Sequence, residues 1–404
     1  MKIIVLKFGG TSVGTVDRIK KVANIIVSYF KKNYKVIVVS SAMSGVTNDL
    51  VKKSQSISND FDLEELDVLL STGEQVACSL LAGRLRHLGY NSRSWLGWQI
   101  PIITSGDHSS SRIINVNKIK ILKYLKTDGI PIITGFQGIN HKNRITTLGR
   151  GGSDTSAIMV AKFFNAKKCI IYTDVTGVMT TDPKIFKKPK KIKVISYEEM
   201  LEMSSLGSKV MQSSSVQEAR LNRIDVDVKS SFNKKSGTLI TKRSNLLSNK
   251  IITGVSSTKN DSKISLIGVK DKPGIAASIF KPLSDNNINV DMVVQNISPN
   301  GKETDLTFTI KSGDLNKTRK LIKLNKKINF KTMKVDKDVS KVSIIGVGMI
   351  TTPGVTYRMF QALSEKKINI MVISTSEIKI SVLISKKYLI KAVAALHKEF
   401  KLTR

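Results

Sequence analysis

The chain is poor in the side chains that carry thiol and metal chemistry. Only two of its 404 residues are cysteines and four are histidines, which excludes a disulfide framework and a zinc site built on Cys/His spacing. Cys78 and Cys169 each stand among apolar neighbours, the setting of buried free thiols in a reducing compartment. No apolar run approaches the ~20 residues of a membrane-spanning helix. The opening Met1-Lys2-Ile3-Ile4-Val5-Leu6 is too short for a signal-peptide core. A cytoplasmic protein with no membrane partner is expected. Acidic residues are scarce as well, 31 against 66 basic ones, for a formal net charge of +35. Such an excess raises the question of nucleic acid. Aromatic residues make up only 6%, however, and the pairs Lys31-Lys32, Lys187-Lys188, Lys234-Lys235 and Lys386-Lys387 are dispersed along the chain with no stacking platform beside them. The charge reads as a lysine-rich solvated surface, and no nucleic-acid partner is expected.

What the chain does have is glycine in two telling places. Lys7-Phe8-Gly9-Gly10-Thr11-Ser12 follows directly on the apolar run Ile3–Leu6, and Gly149-Arg150-Gly151-Gly152-Ser153-Asp154 opens into Thr155–Ala161, an apolar stretch of helical character. Each sets bare backbone beside a fixed charge. N–H groups exposed at a helix start, with a cation nearby, form an anion site. Two such sites in one domain suggest a polyphosphate held from both ends. The transition state of phosphoryl transfer spreads negative charge over oxygens, and a lysine ammonium with aimed backbone N–H groups neutralises it.

Up to about residue 245, short apolar runs (Ile3–Leu6, Val36–Ser40, Ile130–Thr134, Cys169–Thr173, Val226–Lys229) alternate with segments of helical spacing such as Ile19–Phe30 and Leu63–Leu88. This alternation predicts an α/β fold with a mainly parallel sheet covered on both faces, an αβα sandwich. Its ligands would gather at the carboxyl ends of the strands, where both glycine clusters fall. The polar stretch Thr241–Lys250 reads as a linker. Beyond it the chain repeats itself. Ile264–Val269 is matched by Val342–Val347, while Pro273-Gly274, Phe280–Ser284 and Ile288–Val290 return as Pro353-Gly354, Phe360–Ser364 and Ile368–Ile370 at one offset of 80 residues. Each copy reads as strand, Pro-Gly helix start, helix, two strands and helix, a ferredoxin-like βαββαβ plan. Two such copies can pair into one continuous sheet, within the chain or between chains. The division expected is 1–245, 246–335 and 336–404.

The first glycine cluster resembles the signature of the aspartokinases, the first enzymes of the aspartate pathway to lysine, threonine and methionine. Stretches similar to that family's motifs follow in order: Val38–Met43, Ser71-Thr72-Gly73-Glu74-Gln75, Gly135–Gly138, Thr147–Asp154, Tyr172–Val178 and Ile373–Ile378. The resemblance covers nearly the whole chain. It implies an amino acid kinase fold followed by two ACT domains, and transfer of phosphate from ATP, accompanied by Mg²⁺, to the side-chain carboxylate of L-aspartate, giving 4-phospho-L-aspartate.

The resemblance also implies roles. Lys7 neutralises the transferring phosphoryl group, Gly9 and Gly10 let backbone approach it beside the Ser12 hydroxyl, and Asp154 orients the active-site lysines. A carboxylate acceptor is already ionised near neutral pH, so no general base is required. Arg150, with its planar fork, is a candidate clamp for one aspartate carboxylate or equally a phosphate ligand. Glu74 is the partner for the aspartate ammonium, and Ser41, Thr47, Phe136, Gly151, Gly152 and Ser153 complete the pocket. The nucleotide is expected against Thr173, Asp174, Gly177, Val178 and Met179, with Asp182, Pro183, Lys184 and Lys209 towards its phosphates. Two positions depart from the family pattern. Thr181-Asp182-Pro183-Lys184 stands where Ala-Asp-Pro-Arg is usual, keeping the charge but losing the fork. Met179 stands where an aromatic is frequent, offering an apolar surface without a stacking plane. No dedicated protein metal site is expected. In the repeats, the free N–H groups behind Gly274 suit an effector carboxylate, with Asn289, Val290, Asp291 and Gln295 nearby. Asn369, Ile370, Ser376 and Glu377 form the comparable or facing surface of the second copy. Lysine, threonine or both are the expected effectors, and oligomers, homomeric or heteromeric, are expected through the ACT domains.

Overall fold

β1 (Ile3–Phe8) is buried along its whole length, as a strand covered on both faces must be. It belongs to a computed structural model that describes residues 1–206, 210–242, 250–297, 303–325 and 327–403. The chain divides into two units, Met1–Val178 with Lys191–Ser248 and Met179–Lys190 with Asn249–Arg404.

In the first unit, Thr15 caps α1 (Val16–Phe30) by accepting the Arg18 N–H, and Ile19, Val22, Ala23 and Ile26 give that helix its buried face. β2 (Lys35–Ser40) and α2 (Val46–Ile57) lead to the long α3 (Leu63–His87). Asp62 caps α3; acidic residues fill its first turn and Arg84, Arg86 and His87 its last, the order the helix dipole favours. Next come β3 (Ser92–Trp95), β4 (Ile102–Thr104), β5 (Ile113–Val116), α4 (Ile119–Lys126), β6 (Ile130–Thr134), β7 (Gln137–Ile139) and β8 (Ile145–Thr147). α5 (Gly152–Phe163), β9 (Lys168–Thr173), β10 (Val194–Ser196), α6 (Tyr197–Ser205), α7 (Ser213–Leu221), β11 (Val226–Ser230) and β12 (Thr238–Thr241) complete the unit.

Eight strands form one sheet in the order β10-β12-β11-β9-β1-β2-β6-β3, parallel throughout except that β12 runs against β11. Ile4, Leu6 and Phe8 turn to one face and share a core with Ile19, Val22 and Ile26 of α1 and Ala77, Leu81 and Leu85 of α3. Strand alternation sends the odd-numbered positions of β1 to the other face, which α5 covers. The expected sandwich is therefore present. Both cysteines are buried free thiols, and burial pushes each thiol's pKa up. Phe8 pairs with Ser40 and Tyr172, Ser40 with Thr134, and Thr173 with Ser230. The chain thus leaves the sheet at Gly9, Ser41, Gly135, Asp174 and Ser231 along one carboxyl edge.

The second unit holds β13 (Gly254–Lys270), α8 (Ile275–Ser284), β14 (Val290–Ile297), β15 (Glu303–Lys311), α9 (Leu315–Leu324) and β16 (Thr332–Ile345), then α10 (Val355–Ser364), β17 (Ile370–Thr375), β18 (Lys379–Ser385) and α11 (Leu389–Glu399). The sequence repeat is a repeat of geometry: Gly274 and Gly354 cap α8 and α10 in the left-handed region, at φ 85° and 83°, which glycine adopts at no steric cost. Both copies contribute to one six-stranded sheet, β14-β15-β13-β16-β18-β17, within the chain.

The two long strands belong to both copies. Lys263–Ile267 of β13 lie antiparallel to Thr332–Asp336 of β16, whereas Gly254–Thr258 pair with Lys341–Ile345, with irregular register around Asp261 between the two stretches. The opening half of β16 completes the first copy, and the opening half of β13 completes the second. The division expected at 335/336 falls inside β16. Each copy keeps its own core, Ile264, Leu266 and Phe308 with Ile275 and Ile279 in one, Val342, Ile344 and Val382 with Met359 and Leu396 in the other. Residues 243–249 of the expected linker lie outside the described residues. Met179–Lys190 packs in this unit: Phe186 stacks on His397 with ring centroids 4.7 Å apart, and the Val255 N–H donates to the Thr180 carbonyl at 2.7 Å.

Candidate active site at the carboxyl edge of the large sheet

Lys7 holds an odd position of β1, so its side chain meets α5; the residue is only 7% exposed. Its Nζ stands 2.5 Å from Oδ1 of Asp154, in the first turn of α5. Both ions lose most of their hydration, and each is tolerable only because of the other. The helix N-terminus further favours the anion. The start of α5 depends on absent side chains. A Cβ on Gly151, whose φ is 77°, would come within 2.6 Å of Gln212, and one on Gly152 would come 2.7 Å from the Phe136 ring. Gly10 is close-packed to a lesser degree, with 3.1 Å from an ideal Cβ to the Ala42 carbonyl, whereas a Cβ on Gly9 would meet the Lys7 Nζ at an ordinary contact of 3.4 Å. Arg150 immediately precedes this helix start and is exposed, with no ion pair among the described residues. Arg150 and the Lys7–Asp154 pair therefore share one end of one helix.

Glu74 comes from the other face. It lies on α3, 3% exposed, with Oε1 accepting the Ala42 N–H at 3.0 Å and Oε2 buried without a hydrogen-bond partner among the described residues. Burial pushes this carboxyl up to about 7, against the opposing pull of the Ala42 N–H, its own N–H and the Lys7 charge. A buried oxygen without a donor is costly, and a ligand cation relieves that cost. The Phe136 N–H donates to Ser156 at 3.0 Å, and Gly135 packs so closely on Ser153 that a Cβ would lie 2.8 Å away. Ser41, half-buried, donates its N–H to Phe8 at 3.0 Å, and half-buried Thr47 lies in the first turn of α2.

Two polar networks were absent from the sequence expectation. Asp67, fully buried on α3 two turns before Glu74, accepts the Ser109 N–H at 3.0 Å, the Ser109 hydroxyl at 3.2 Å, a His108 ring nitrogen at 2.9 Å and the Thr147 hydroxyl. These bonds hold Ser109 in the left-handed region at φ 61°. They also anchor Thr147, the last residue of β8 before Leu148-Gly149-Arg150. The only signal available in the sequence was a carboxylate on the same helix face as Glu74. In the second network Ser231 donates to Ser12 at 2.8 Å and accepts from Arg18 at 2.8 Å. The Ser12 hydroxyl is thereby engaged with protein.

Of the residues expected around the nucleotide, Thr173 bonds Asp174 at 3.1 Å and its carbonyl accepts the Ser231 N–H. Val178 is buried with its N–H on the Thr238 hydroxyl at 2.9 Å, and Gly177, at φ 135°, leaves only 2.5 Å between an ideal Cβ and that hydroxyl. Met179, Asp182, Pro183 and Lys184 lie in the second unit, where Asp182 accepts the Lys184 N–H at 2.8 Å in a local turn and Lys184 is exposed. Lys209 lies outside the described residues.

Gly274 and Asn289 are exposed, Val290, Asp291 and Gln295 lie on β14, and Asp291 is paired with the buried ammonium of Lys341 on β16. Asn369 and Ile370 hold the matching position at the start of β17, while Ser376 and Glu377 form the turn at its far end, closed by the Ser376 N–H on Lys379 at 2.7 Å. Strand β17 separates the two pairs. Among the described residues no three His, Cys, Asp or Glu side chains gather as metal ligands, and no helix is long and apolar enough to cross a membrane.

Comparison with known proteins is consistent along the chain. Residues 2–230 match the amino acid kinase family, and residues 264–324 and 342–400 match the ACT domain. The chain is 43% identical over 404 residues to an aspartate kinase of Stutzerimonas stutzeri, covering 100% of this chain and 98% of the relative. It is 39% identical over 405 residues to aspartokinase 2 of Bacillus subtilis, covering 100% and 99%. Among solved structures it is similar to E. coli aspartokinase III in complex with aspartate and ADP, with a TM-score of 0.79 and 25% identity over 98% of this chain and 99% of that one. The same enzyme in complex with lysine and aspartate gives a TM-score of 0.80 at 25% identity, covering 99% and 100%.

Proposed function

The chain belongs to the aspartokinases, and from that premise we propose how its residues divide the work of moving a phosphoryl group from ATP to L-aspartate. The reaction forms a bond between an oxygen of the aspartate side chain and the γ-phosphorus, breaks the bond to the β-phosphate oxygen, and releases 4-phospho-L-aspartate and ADP. The Lys7 ammonium lies against the transferring phosphoryl oxygens, held there by Asp154, while Gly9, whose N–H donates to the Tyr172 carbonyl at 3.0 Å, and Gly10 keep side chains out of the space beside it. The Glu74 oxygen that lacks a donor takes the aspartate ammonium. Arg150, free of protein partners among the described residues, clamps a carboxylate with two parallel bonds. Ser41, Thr47, Phe136 and Ser153 shape the remaining wall. The adenosine lies along Thr173, Asp174, Gly177 and Val178, and Met179, Asp182, Pro183, Lys184 and Lys209 serve the nucleotide from the following segments. Magnesium arrives on the triphosphate as part of the substrate.

One observation carries this reading: a buried ammonium on β1, held by Asp154, and a buried carboxylate oxygen on α3, without a donor and on a side chain that accepts the Ala42 N–H just past β2, lie close enough for the Lys7 charge to act on Glu74. The first attracts phosphate and the second attracts an amino group, the two ends of the required substrate pair. The test is hydroxamate trapping of the acyl phosphate with ATP, magnesium and aspartate. Product is expected with aspartate and not with glutamate or acetylglutamate, and equal product from those acids would refute the assignment.

The ACT copies, taken as 246–335 and 336–404 behind a catalytic 1–245, bind amino acid effectors, lysine, threonine or both. Gly274, Asn289 and Gln295 contact the effector in the first copy, Asn369 and Ile370 in the second, and chains associate through these domains. The same trapping assay with each amino acid added reads this regulation directly.

A further inference from the structure

We infer that the first unit carries a second small-molecule site, for a planar ring bearing an oxyanion, at the lateral edge of the large sheet. β3 is the terminal strand of that sheet, and beside it and α4 opens a cavity of about 540 Å³ lined by Arg93, Trp95, Trp98, Lys120, Lys123 and Tyr124 among others. This volume lies within the span of small-molecule sites. None of the lining residues belongs to the active site described above.

The wall is built of rings. The chain has only two tryptophans, and both are here. Trp95 is 5% exposed and meets Tyr124 edge to face, with centroids 5.7 Å apart; Trp98 is 51% exposed. The Tyr124 ring lies over Gly129, where a Cβ would come within 2.5 Å of it, so a glycine is required for the ring to occupy that place. Its hydroxyl donates to Asn91 at 2.8 Å, and burial holds the phenol pKa above its usual value. Tyr124 therefore offers the cavity a ring face and not a proton.

The charge in the lining is of one sign. Arg93 lies over the Trp95 ring at 4.1 Å, Lys120 reaches the Gln99 carbonyl at 3.1 Å, and exposed Lys123 adds a third cation; no carboxylate lines the cavity. The Trp95 indole N–H is buried and has no hydrogen-bond partner among the described residues. A neutral ring would leave the cations unused, and a bare anion would leave the rings unused. The chemistry that satisfies both is an aromatic carboxylate or an aromatic phosphate ester, with its ring on Trp98 and Tyr124 and its oxygens towards Arg93 and Lys123.

The two tryptophans make the full chain its own reporter. Tryptophan emission is followed while phenyl phosphate or benzoate is added, with phenol and inorganic phosphate as reference probes and with ATP and magnesium saturating so that the active-site phosphate positions are filled. A saturable change with phenyl phosphate or benzoate is expected, the tighter of the two identifying the oxyanion. Binding should weaken about tenfold in Lys123→Gln or Arg93→Gln, both exposed positions whose substitution spares the fold. No saturable response to either aromatic anion, an equal response to phenol, or affinity indifferent to both substitutions would overturn the inference. So would an emission change that follows protein concentration, which would show that a second copy covers this face.

Discussion

Lys7 is a cation in a place with little water, and its only ion-pair partner among the described residues is Asp154. Removing one member strands the other. Lys7→Met should lower kcat by a factor on the order of a thousand. It should also cost about 3 kcal/mol of stability, because the Asp154 carboxylate is left buried alone. Lys7→Met combined with Asp154→Leu should regain much of that stability in urea melts and none of the turnover. A double variant no more stable than the single one would show that the pair's geometry matters less than burial suggests.

Glu74 carries a pH signature. Its pKa in the folded chain is raised from 4.5 to about 7, so its contribution to stability is full below about 4.5 and is lost as pH climbs through about 7. Glu74→Gln should therefore melt higher than the parent protein at about pH 8 and level with it at about pH 4. Substrate binding has the opposite sign, since an ammonium selects the ionised carboxyl. The KM for aspartate should fall as pH rises towards 7, by up to about tenfold per unit, and that slope should be absent in Glu74→Gln. The identity of Glu74 was legible in Thr-Gly-Glu-Gln, but its orphaned oxygen was not, because burial of a single atom depends on packing between α3 and the Ala42 loop.

Among elements, α3 does the most. Two carboxylates on one of its faces reach two different loops, Glu74 to Ala42 and Asp67 to Thr147 and Ser109. The helix thereby sets where the arginine loop stands relative to the Ala42 loop that follows β2. Asp67→Asn places an amide against donors that need an acceptor, so the arginine loop should loosen. The expected result is a rise in the KM for aspartate of about tenfold with a smaller change in the KM for ATP. An equal rise in both would mean that Asp67 only supports the fold. The helix itself was legible, because the helical spacing over Leu63–Leu88 is a local feature. The role of Asp67 was not, since its partners His108, Ser109 and Thr147 are distant in sequence and no local pattern announces them. The start of α5 was legible for the converse reason: a run of glycines before Ser153-Asp154 is a local requirement of the backbone.

At the scale of the whole chain, the sequence repeat announced two ferredoxin-like copies. The loan of Gly254–Thr258 to the second copy was hidden, because they precede the first repeated motif, and the stretch 80 residues on, Lys334–Asp338, lies in the half of β16 that serves the first copy. The loan makes the copies unequal. Residues 259–337 contain every strand of the first copy, whereas residues 337–403 lack the strand that Gly254–Thr258 supply. The first fragment should fold alone, with a cooperative thermal transition by circular dichroism. The second should remain unfolded until a peptide spanning 250–260 is added. Folding of 337–403 without the peptide would show that the Gly254–Thr258 pairing is dispensable.

This arrangement separates heredity from assembly. The stretch that repeats and the stretch that closes a layer of hydrogen bonds are offset by one strand, so a cut between the copies leaves one piece with all its strands and one piece a strand short. Main chain that closes one copy therefore runs on, without a break, into main chain that builds the other.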